Sequence, residues 1–364
     1  MLRFNDKGIY CEQADVYIDP WGQVDRAIIT HAHSDHARWG SRHYLAHHYS
    51  VPVMRWRLGP DIKVQGIGYN EEVTINGVKI SLHPAGHIIG SAQVRLEYQG
   101  EVWVVSGDYK LQNDHLATPF EPVRCQHFIT ESTFGLPVYR FPAVEVVQGE
   151  INDWCARNTA AGKTSVIIGY ALGKAQHILY GLDKSIAPIY AHGAVVNMNR
   201  TLEQSGFDFS YAKPLDYSLS KKDLQGCIVI APPSAVGTPW LRRFDPYSIG
   251  ICSGWMQLRG ARRRRGVDRG FVMSDHCDWQ QLNTAVKLTG AENVYVTHGY
   301  KSIYAKWLRD EMHLNATEVD TLYEGESIEG DKEEAAAENT EAGIAPPDTS
   351  TAQSDISSPE NGDA

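Results

Sequence analysis

The sequence predicts an α/β fold, because strand-like runs and helix-like segments alternate along the chain. Six short runs rich in Val, Ile, Tyr or Phe lead into a polar residue, namely DVYID, RAIIT, VWVVSGD, HFITES, FVMSDH and NVYVTHG. Between them, AVEVVQGEINDWCARNTAA and DWQQLNTAVKLTGA have the pattern of helices. A chain of 364 residues with 42% hydrophobic content can bury one large core or two moderate ones.

The ends of these runs predict the position of a site. The polar residues there are Asp19, His31, Asp108, Glu131, His276 and His298. Strands of an α/β sheet that run in one direction gather their carboxyl ends at one edge, where such folds place their sites. We therefore expect these six side chains to lie close together.

The remaining composition predicts a cytoplasmic protein without a membrane partner. The N-terminus MLRFNDKGIYCEQ lacks the apolar core of a signal peptide, and no run approaches the roughly 18 apolar residues of a membrane span. The six cysteines are scattered without a C-x-x-C pair. This spacing predicts free thiols in a reducing cytosol rather than disulfides or a cysteine-based zinc site.

Charge is unevenly distributed along the chain. From residue 326 onward there are eleven Asp and Glu and one Lys, a net charge of −10. Since the whole chain also has a net charge of −10, residues 1–325 have a net charge of zero. The tail 326–364 has few large apolar residues and is predicted to be disordered. By contrast, RGARRRRGVDRG concentrates arginines, including Arg262, Arg263, Arg264 and Arg265. This segment predicts a phosphate-binding surface, with a solvated loop as the alternative.

The stretch THAHSDHARWG crowds metal-competent side chains into one turn. Candidate ligands within it are His31, His33, Asp35 and His36, and His87, Asp108 and His298 bring the set to seven. A solvated polar loop is the alternative reading. Seven ligands exceed one tetrahedral ion and suit two ions about 3.5–4 Å apart that share a carboxylate. Zinc lowers the pKa of bound water toward ~7, so a two-metal hydroxide could attack phosphodiesters; Mn²⁺ is an alternative metal.

These motifs resemble those of a known family. THAHSDH resembles the H-x-H-x-D-H signature of the metallo-β-lactamase fold, PAGHIIGS its third histidine motif and SGDY its bridging aspartate. ITEST, SDHCDW and THGY resemble the additional motifs of the β-CASP nucleases. Their order and spacing are most similar to the bacterial DNA ligase-associated exonuclease family, which is related to Artemis-type DNA repair nucleases. The resemblance extends from Leu2 to about Gly325.

The resemblance implies a four-layer αββα metallo-β-lactamase sandwich with an inserted β-CASP α/β domain. The implied segments are 1–136 and 271–325 for the two parts of the metallo-β-lactamase domain, 137–270 for the insert, and 326–364 for the acidic tail. Within the insert, TSVIIGYALGKAQHILYGL reads as strand, turn and helix. Lys174 at this helix start is predicted to bind a phosphate, with an ordinary α/β turn as the alternative.

The resemblance also implies roles for the site residues. One metal would be held by His31, His33, His87 and Asp108, and the other by Asp35, His36, Asp108 and His298. Asp35 is counted among the catalytic residues as well. Asp19 would support the ligand loop from behind. His276 would be the general acid, oriented by Glu131. The remaining histidines are predicted to lie on the surface, among them His43, His47, His48, His83, His115, His127, His177 and His192.

The function implied is a metal-dependent DNA exonuclease acting in repair. The resemblance implies 5′→3′ digestion of single-stranded DNA, two divalent ions, and a DNA ligase and a helicase as partners in a bacterial, nucleoid-associated pathway. Two alternatives stay open, since β-CASP proteins divide between DNA and RNA. One is an RNA-processing nuclease, and the other is a non-catalytic nucleic-acid-binding scaffold.

Overall fold

The computed structural model describes residues 1–258 and 267–323, which form an α/β protein with three sheets. In spatial order the first sheet contains β1 (Leu2–Asn5), β2 (Gly8–Cys11), β3 (Val16–Ile18), β4 (Arg26–Ile28), β5 (His43–His47) and β6 (Val64–Ile67). The second contains β19 (Asn315–Glu318), β18 (Asn293–Gly299), β11 (His127–Ser132), β10 (Glu101–Val105), β9 (Ala92–Tyr98), β8 (Val78–Pro84) and β7 (Glu72–Ile75). The third contains β14 (Lys213–Pro214), β13 (Ile189–Ala191), β15 (Ile228–Ala231), β12 (Thr164–Ile168), β16 (Tyr247–Cys252) and β17 (Arg269–Phe271).

The described residues form the three helices that the sequence predicts and others that it does not. They are α1 (Val51–Leu58), α2 (Val144–Ala160), α3 (Lys174–Gly181), α4 (Gly193–Glu203), α5 (Trp279–Thr289) and α6 (Lys301–Asp310). Short 3₁₀ turns occur at Pro233–Ala235, Pro239–Phe244 and Gly254–Gln257. The two predicted helical segments form α2 and α5, and the predicted strand, turn and helix form β12 and α3.

The first and second sheets pack face to face over a shared apolar core. Successive residues of a strand point to opposite faces, so Ile28 packs toward the second sheet while Ala27 and Ile29 pack on the outer side. Leu282 of α5 and Leu308 of α6 cover the outer face of the second sheet. Helix α1 and the unit built on the third sheet cover the first. The predicted αββα order is confirmed.

The third sheet is entirely parallel. Parallel strands covered on both faces read as continuous apolar runs, and all four residues of β15 are buried. Helices α2, α3 and α4 pack on one face, and this core is continuous with that of α1. The strands of this sheet run from Thr164 to Phe271, one residue past the proposed insert boundary at 270. The four segment boundaries stay a proposal, and the tail 326–364 lies outside the described residues.

The motif-bearing strands occupy three sheets rather than the single sheet we expected. In the first sheet, the parallel neighbours β3 and β4 end just before Asp19 and His31. In the second, the parallel neighbours β10, β11 and β18 carry Asp108, Glu131 and His298 at their carboxyl ends. Packing the two sheets together brings both edges to one place. The run FVMSDH differs, because its strand β17 belongs to the third sheet and ends at Phe271, before His276.

Two expectations about composition can be compared with the fold. All six cysteines are buried and free, which confirms the prediction of unpaired thiols. Within residues 1–258 and 267–323, none of the helices combines the length and the apolar character needed to cross a bilayer.

Candidate metal centre

The site begins at the carboxyl ends of β4 and β10. His31, His33, Asp35 and His36 lie on the loop after β4, and Asp108 follows β10. Gly107 lets these two segments approach each other, because its φ is +57° and a Cβ there would lie 2.6 Å from Thr30 Oγ1. The loop after β8 adds His87 and β18 adds His298, so the seven predicted ligands meet at one edge of the sandwich.

Asp108 lies at the centre of this group. Its Oδ2 is 3.6 Å from His31 Nε2 and 3.9 Å from His87 Nε2. Its Oδ1 is 3.1 Å from His298 Nε2 and 3.6 Å from His36 Nε2. Each carboxylate oxygen therefore faces a different pair of imidazoles, an arrangement that suits a carboxylate shared by two ions.

The other two candidates complete the two sets. His33 Nδ1 lies 3.1 Å from His87 Nε2, and Asp35 Oδ2 lies 3.4 Å from His36 Nε2. In the described part of the chain, the buried atoms His31 Nε2 and His36 Nε2 have no hydrogen-bond partner, and His298 Nε2 has Asp108 Oδ1 as its near neighbour at 3.1 Å. Buried polar atoms are normally paired. Imidazole nitrogens and carboxylate oxygens are ligands for zinc and manganese, so these residues fit two divalent ions.

A layer of hydrogen bonds behind the ligands fixes their rings. His36 Nδ1 lies 2.7 Å from Asp19 Oδ2, which also accepts from Thr30 Oγ1, while Asp19 Oδ1 accepts from Thr30 N at 2.7 Å. His31 Nδ1 lies 3.1 Å from Thr30 Oγ1. His87 Nδ1 lies 2.8 Å from the Asp275 carbonyl oxygen. Such contacts leave each Nε2 turned toward the centre.

Electrostatics favour a positive charge in this site. Burial lowers the pKa of His31 and of His87 well below the usual value, so both rings are neutral, which is the ligand form. Burial also lowers the pKa of His36, but Asp35, Asp108 and Asp19 outweigh it and raise that pKa to about 10. The metal-free site therefore holds a proton on His36 that a bound cation would displace.

His276 and Glu131 form a pair beside the ligands. His276 Nδ1 lies 2.9 Å from both Glu131 oxygens, and its ring is 4.7 Å from the ring of His87. Glu131 also accepts from Tyr109 N at 2.9 Å and from Thr133 Oγ1 at 2.5 Å. Asp108, Glu131 and His276 lie close enough to hold an ion. Since the Glu131 oxygens already accept three donors, the geometry favours an orienting role.

The predicted phosphate contact of Lys174 does not fit its surroundings. Its side chain is 1% exposed, and Nζ lies 3.0 Å from Asp275 Oδ2 and 3.2 Å from the Met273 carbonyl oxygen. An ammonium group enclosed in this way cannot meet a substrate phosphate without breaking a buried ion pair, so we correct this assignment. Arg262, Arg263, Arg264 and Arg265 lie outside the described residues.

Lys174 belongs instead to a buried chain of charges, called here the interface network and formed by Lys110, Asp114, Lys174, His177 and Asp275. His177 lies 2.7 Å from Asp275 and 2.8 Å from Asp114, and Lys110 lies 3.2 Å from Asp114. Burial lowers the pKa of His177, but Asp114 and Asp275 raise it to about 9. The network joins α3 to the segments that carry Asp108 and His276.

The sequence analysis did not find this network, and it predicted two buried histidines to lie on the surface. His177 is buried within the network, and His47 is buried and stacked on Tyr69 with ring centroids 3.6 Å apart. His43, His48 and His115 are exposed as predicted. The partners His177 and Asp275 are 98 residues apart in sequence, and no local pattern links them.

Comparisons with known proteins agree with this geometry. No protein-family model matches the chain. A probable DNA ligase of Opitutus terrae is 32% identical over 83% of this chain and 30% of its own length. Endoribonuclease YSH1 of Yarrowia lipolytica is 24% identical over 76% of this chain and 44% of its own. Cleavage and polyadenylation specificity factor 73 of Drosophila melanogaster is 21% identical over 88% and 61%.

The chain thus spans less than two thirds of each of these relatives. A solved structure supports the fold. The crystal structure of a protein of unknown function from Enterococcus faecalis covers 76% of both chains with a TM-score of 0.52 and 12% identity. The sheet arrangement, the converging ligand set and these relatives are together consistent with the β-CASP group of the metallo-β-lactamase fold.

Proposed function

We propose that this chain is a metal-dependent exonuclease that hydrolyses single-stranded DNA. The observation that carries the proposal is the position of Asp108, whose two carboxylate oxygens each face a separate pair of imidazoles. His31, His33, His87 and Asp108 would hold one divalent ion, and Asp35, His36, Asp108 and His298 the other. Bound there, the ions would lower the pKa of water and neutralise charge on a phosphate.

The protein's own groups supply the remaining steps. Asp19 and the Asp275 carbonyl hold the His36 and His87 rings toward the centre. His276 passes a proton to the oxygen that leaves phosphorus, because that oxygen would otherwise depart as an unstable alkoxide. Glu131 holds Nδ1 of His276, so Nε2 is the ring atom assigned to this transfer.

DNA is the favoured substrate because a relative at 32% identity is named a probable DNA ligase. A region like this chain within a probable DNA ligase supports work on DNA ends beside a ligase, whereas a helicase partner rests on the family resemblance alone. An RNA substrate is the second candidate, since the relatives at 24% and 21% identity are an endoribonuclease and a cleavage and polyadenylation specificity factor by name. A non-catalytic scaffold is the third.

One assay separates the three candidates. End-labelled DNA and RNA oligonucleotides of matched sequence are digested while Zn²⁺ or Mn²⁺ is titrated into the apoprotein. We expect DNA to be shortened stepwise from one end and RNA to persist. Digestion of RNA alone would replace the DNA assignment. Failure to bind metal and to cut either polymer would leave the scaffold reading.

Polarity is a separate prediction, which rests on the likeness to Artemis-type nucleases. We expect 5′→3′ trimming that releases 5′-phosphorylated nucleotides, with the arginine run 262–265 contacting the strand. In the first turnovers a 5′ label should be lost while a 3′ label is retained. The opposite order of loss would reverse the assigned polarity without affecting the metal site.

A further inference from the structure

A segment near the end of the described chain crosses the back of the metal centre. After β19, Val319 N donates to the Val296 carbonyl at 2.9 Å, so the segment still follows the sheet edge. Arg38 then ties residues 319–323 to the ligand loop, because its Nη2 donates to the Leu322 carbonyl at 2.7 Å and its Nε donates to the Asp35 carbonyl at 3.1 Å. These contacts place Tyr323 directly behind the ligands.

Tyr323 touches one ligand set. Its ring stacks on His36 with centroids 4.4 Å apart and planes 13° apart, and it meets His298 edge-on at 5.9 Å. Its hydroxyl donates to the Asp19 carbonyl at 3.0 Å. Only 8% of the residue is exposed. Among the described ring contacts of Tyr323, the remaining partner is Trp21, at 5.5 Å.

Two histidines of the other ligand set are held by different groups, while His31 shares the Asp19 support through Thr30. The Asp275 carbonyl orients His87, and the Leu172 carbonyl lies 3.2 Å from His33 Nε2. A ring stacked on His36 limits rotation of that imidazole, and the hydroxyl fixes the backbone of Asp19, which holds His36 Nδ1. We infer that Tyr323 is a positioning residue for the ion held by Asp35, His36, Asp108 and His298. This inference rests on the proposed two-metal function.

The consequence is that the affinities of the two ions depend unequally on residues 319–323. Groups behind metal ligands typically contribute 10–100-fold to metal affinity. Loss of the Tyr323 ring should therefore weaken one ion by about that factor and leave the other unchanged. A residue that merely stabilised the fold would weaken both ions together, so the pattern separates the two roles.

The experiment compares Tyr323→Leu, Tyr323→Phe and the control Trp21→Phe. Ion content is measured by elemental analysis after dialysis against graded chelator concentrations, and folding is checked by circular dichroism. We expect two ions per wild-type chain. In Tyr323→Leu, the ion held by His31, His33, His87 and Asp108 should keep its wild-type affinity. The ion held by Asp35, His36, Asp108 and His298 should be lost at a chelator concentration about 10–100-fold lower than in the wild type. Tyr323→Phe keeps the stack and should show a shift of about 2–10-fold, the value of one hydrogen bond. Trp21→Phe should match wild type.

Each outcome decides the inference. Two ions with wild-type affinity in folded Tyr323→Leu overturn it, and equal weakening of both ions does so as well. If Tyr323→Leu does not fold, Tyr323→Phe decides the question. Wild-type affinity in that variant for the ion held by Asp35, His36, Asp108 and His298 overturns the inference. A wild-type chain that binds fewer than two ions overturns the two-metal proposal itself, which separates that failure from failure of the Tyr323 role alone.

Discussion

Two buried clusters of histidine and aspartate lie side by side in this protein, and their side chains have opposite environments. In the metal centre, the Nε2 atoms of four imidazoles converge on the single carboxylate of Asp108 at 3.1–3.9 Å, namely those of His31, His36, His87 and His298. In the interface network, successive charged groups lie 2.7–3.2 Å from a group of opposite charge. The first cluster fits added cations, and the second is already neutralised by its own ion pairs.

The difference teaches that residue type and burial do not mark a metal site. Burial lowers the pKa of His31 in the centre, but at the proposed ligand His36 nearby carboxylates outweigh burial and raise the pKa to about 10, much as Asp114 and Asp275 raise that of His177 to about 9. A neutral imidazole can ligate a metal, and an imidazolium cannot. Asp275 links the clusters, since its side chain joins the network while its carbonyl orients His87.

The largest expected effect tests the centre through its shared ligand. Asp108→Ala should lose both ions and reduce nuclease activity to background, because each carboxylate oxygen serves one ligand set. Elemental analysis and digestion assays measure this. Asp114→Asn is the matched control, since it changes an equally buried carboxylate of the network and should retain both ions. Wild-type metal content in Asp108→Ala would remove the two-metal assignment.

A smaller effect separates proton transfer from metal binding. His276→Ala should keep both ions and its DNA affinity while the cleavage rate falls by about 10²–10⁴, the usual range for a general acid. Single-turnover rates and metal content are measured on the same preparation. Loss of an ion from this variant would show that His276 is a ligand instead.

The network should respond in stability rather than in metal content. His177→Ala leaves Asp114 and Asp275 each without one buried ionic partner, and breaking buried pairs costs about 3–5 kcal/mol. Urea unfolding of the metal-loaded protein measures the loss. Both ions should remain bound. A variant as stable as wild type would mean that water or a neighbour replaces the imidazolium.

The pH dependence of stability sharpens the same point. Because folding raises the pKa of His177 to about 9, its contribution is fully present below the unfolded pKa of about 6.5 and is lost as pH rises through 9. The free energy of unfolding of the metal-loaded wild type should fall by on the order of 3 kcal/mol more than that of His177→Ala over this window. If the free energy of unfolding changes with pH in the same way in the wild type and in His177→Ala, His177 is not charged in the folded protein.

The smallest effect concerns charges assigned from sequence alone. Replacing Arg262–Arg265 with Gln should weaken DNA binding. The slope of log K against log salt concentration should also become less steep, by about 0.7 for each lost contact with a single-strand phosphate. Binding at several salt concentrations measures the slope. Metal content and stability should not change, in contrast to both buried clusters. An unchanged slope would show that these arginines do not meet phosphate.

The sequence by itself determined the residues that converge at the centre. His31, His33, Asp35 and His36 are neighbours in the chain, and Asp108 and His298 follow or end β-type runs. Carboxyl ends of parallel strands meet at one edge within each sheet, and packing of the first sheet on the second then brings the two edges together. The free cysteines and the two long helices followed from spacing and periodicity in the same way.

Only the tertiary structure decided what surrounds those ligands. Lys174 reads as a phosphate anchor until the fold buries it against Asp275, and His177 reads as a surface residue until Asp114 and Asp275 enclose it. Tyr323 carries no motif, yet the end of the described chain lays it on His36. Side-chain pairing across the packed layers depends on how distant segments align, and periodicity within one segment does not encode that alignment.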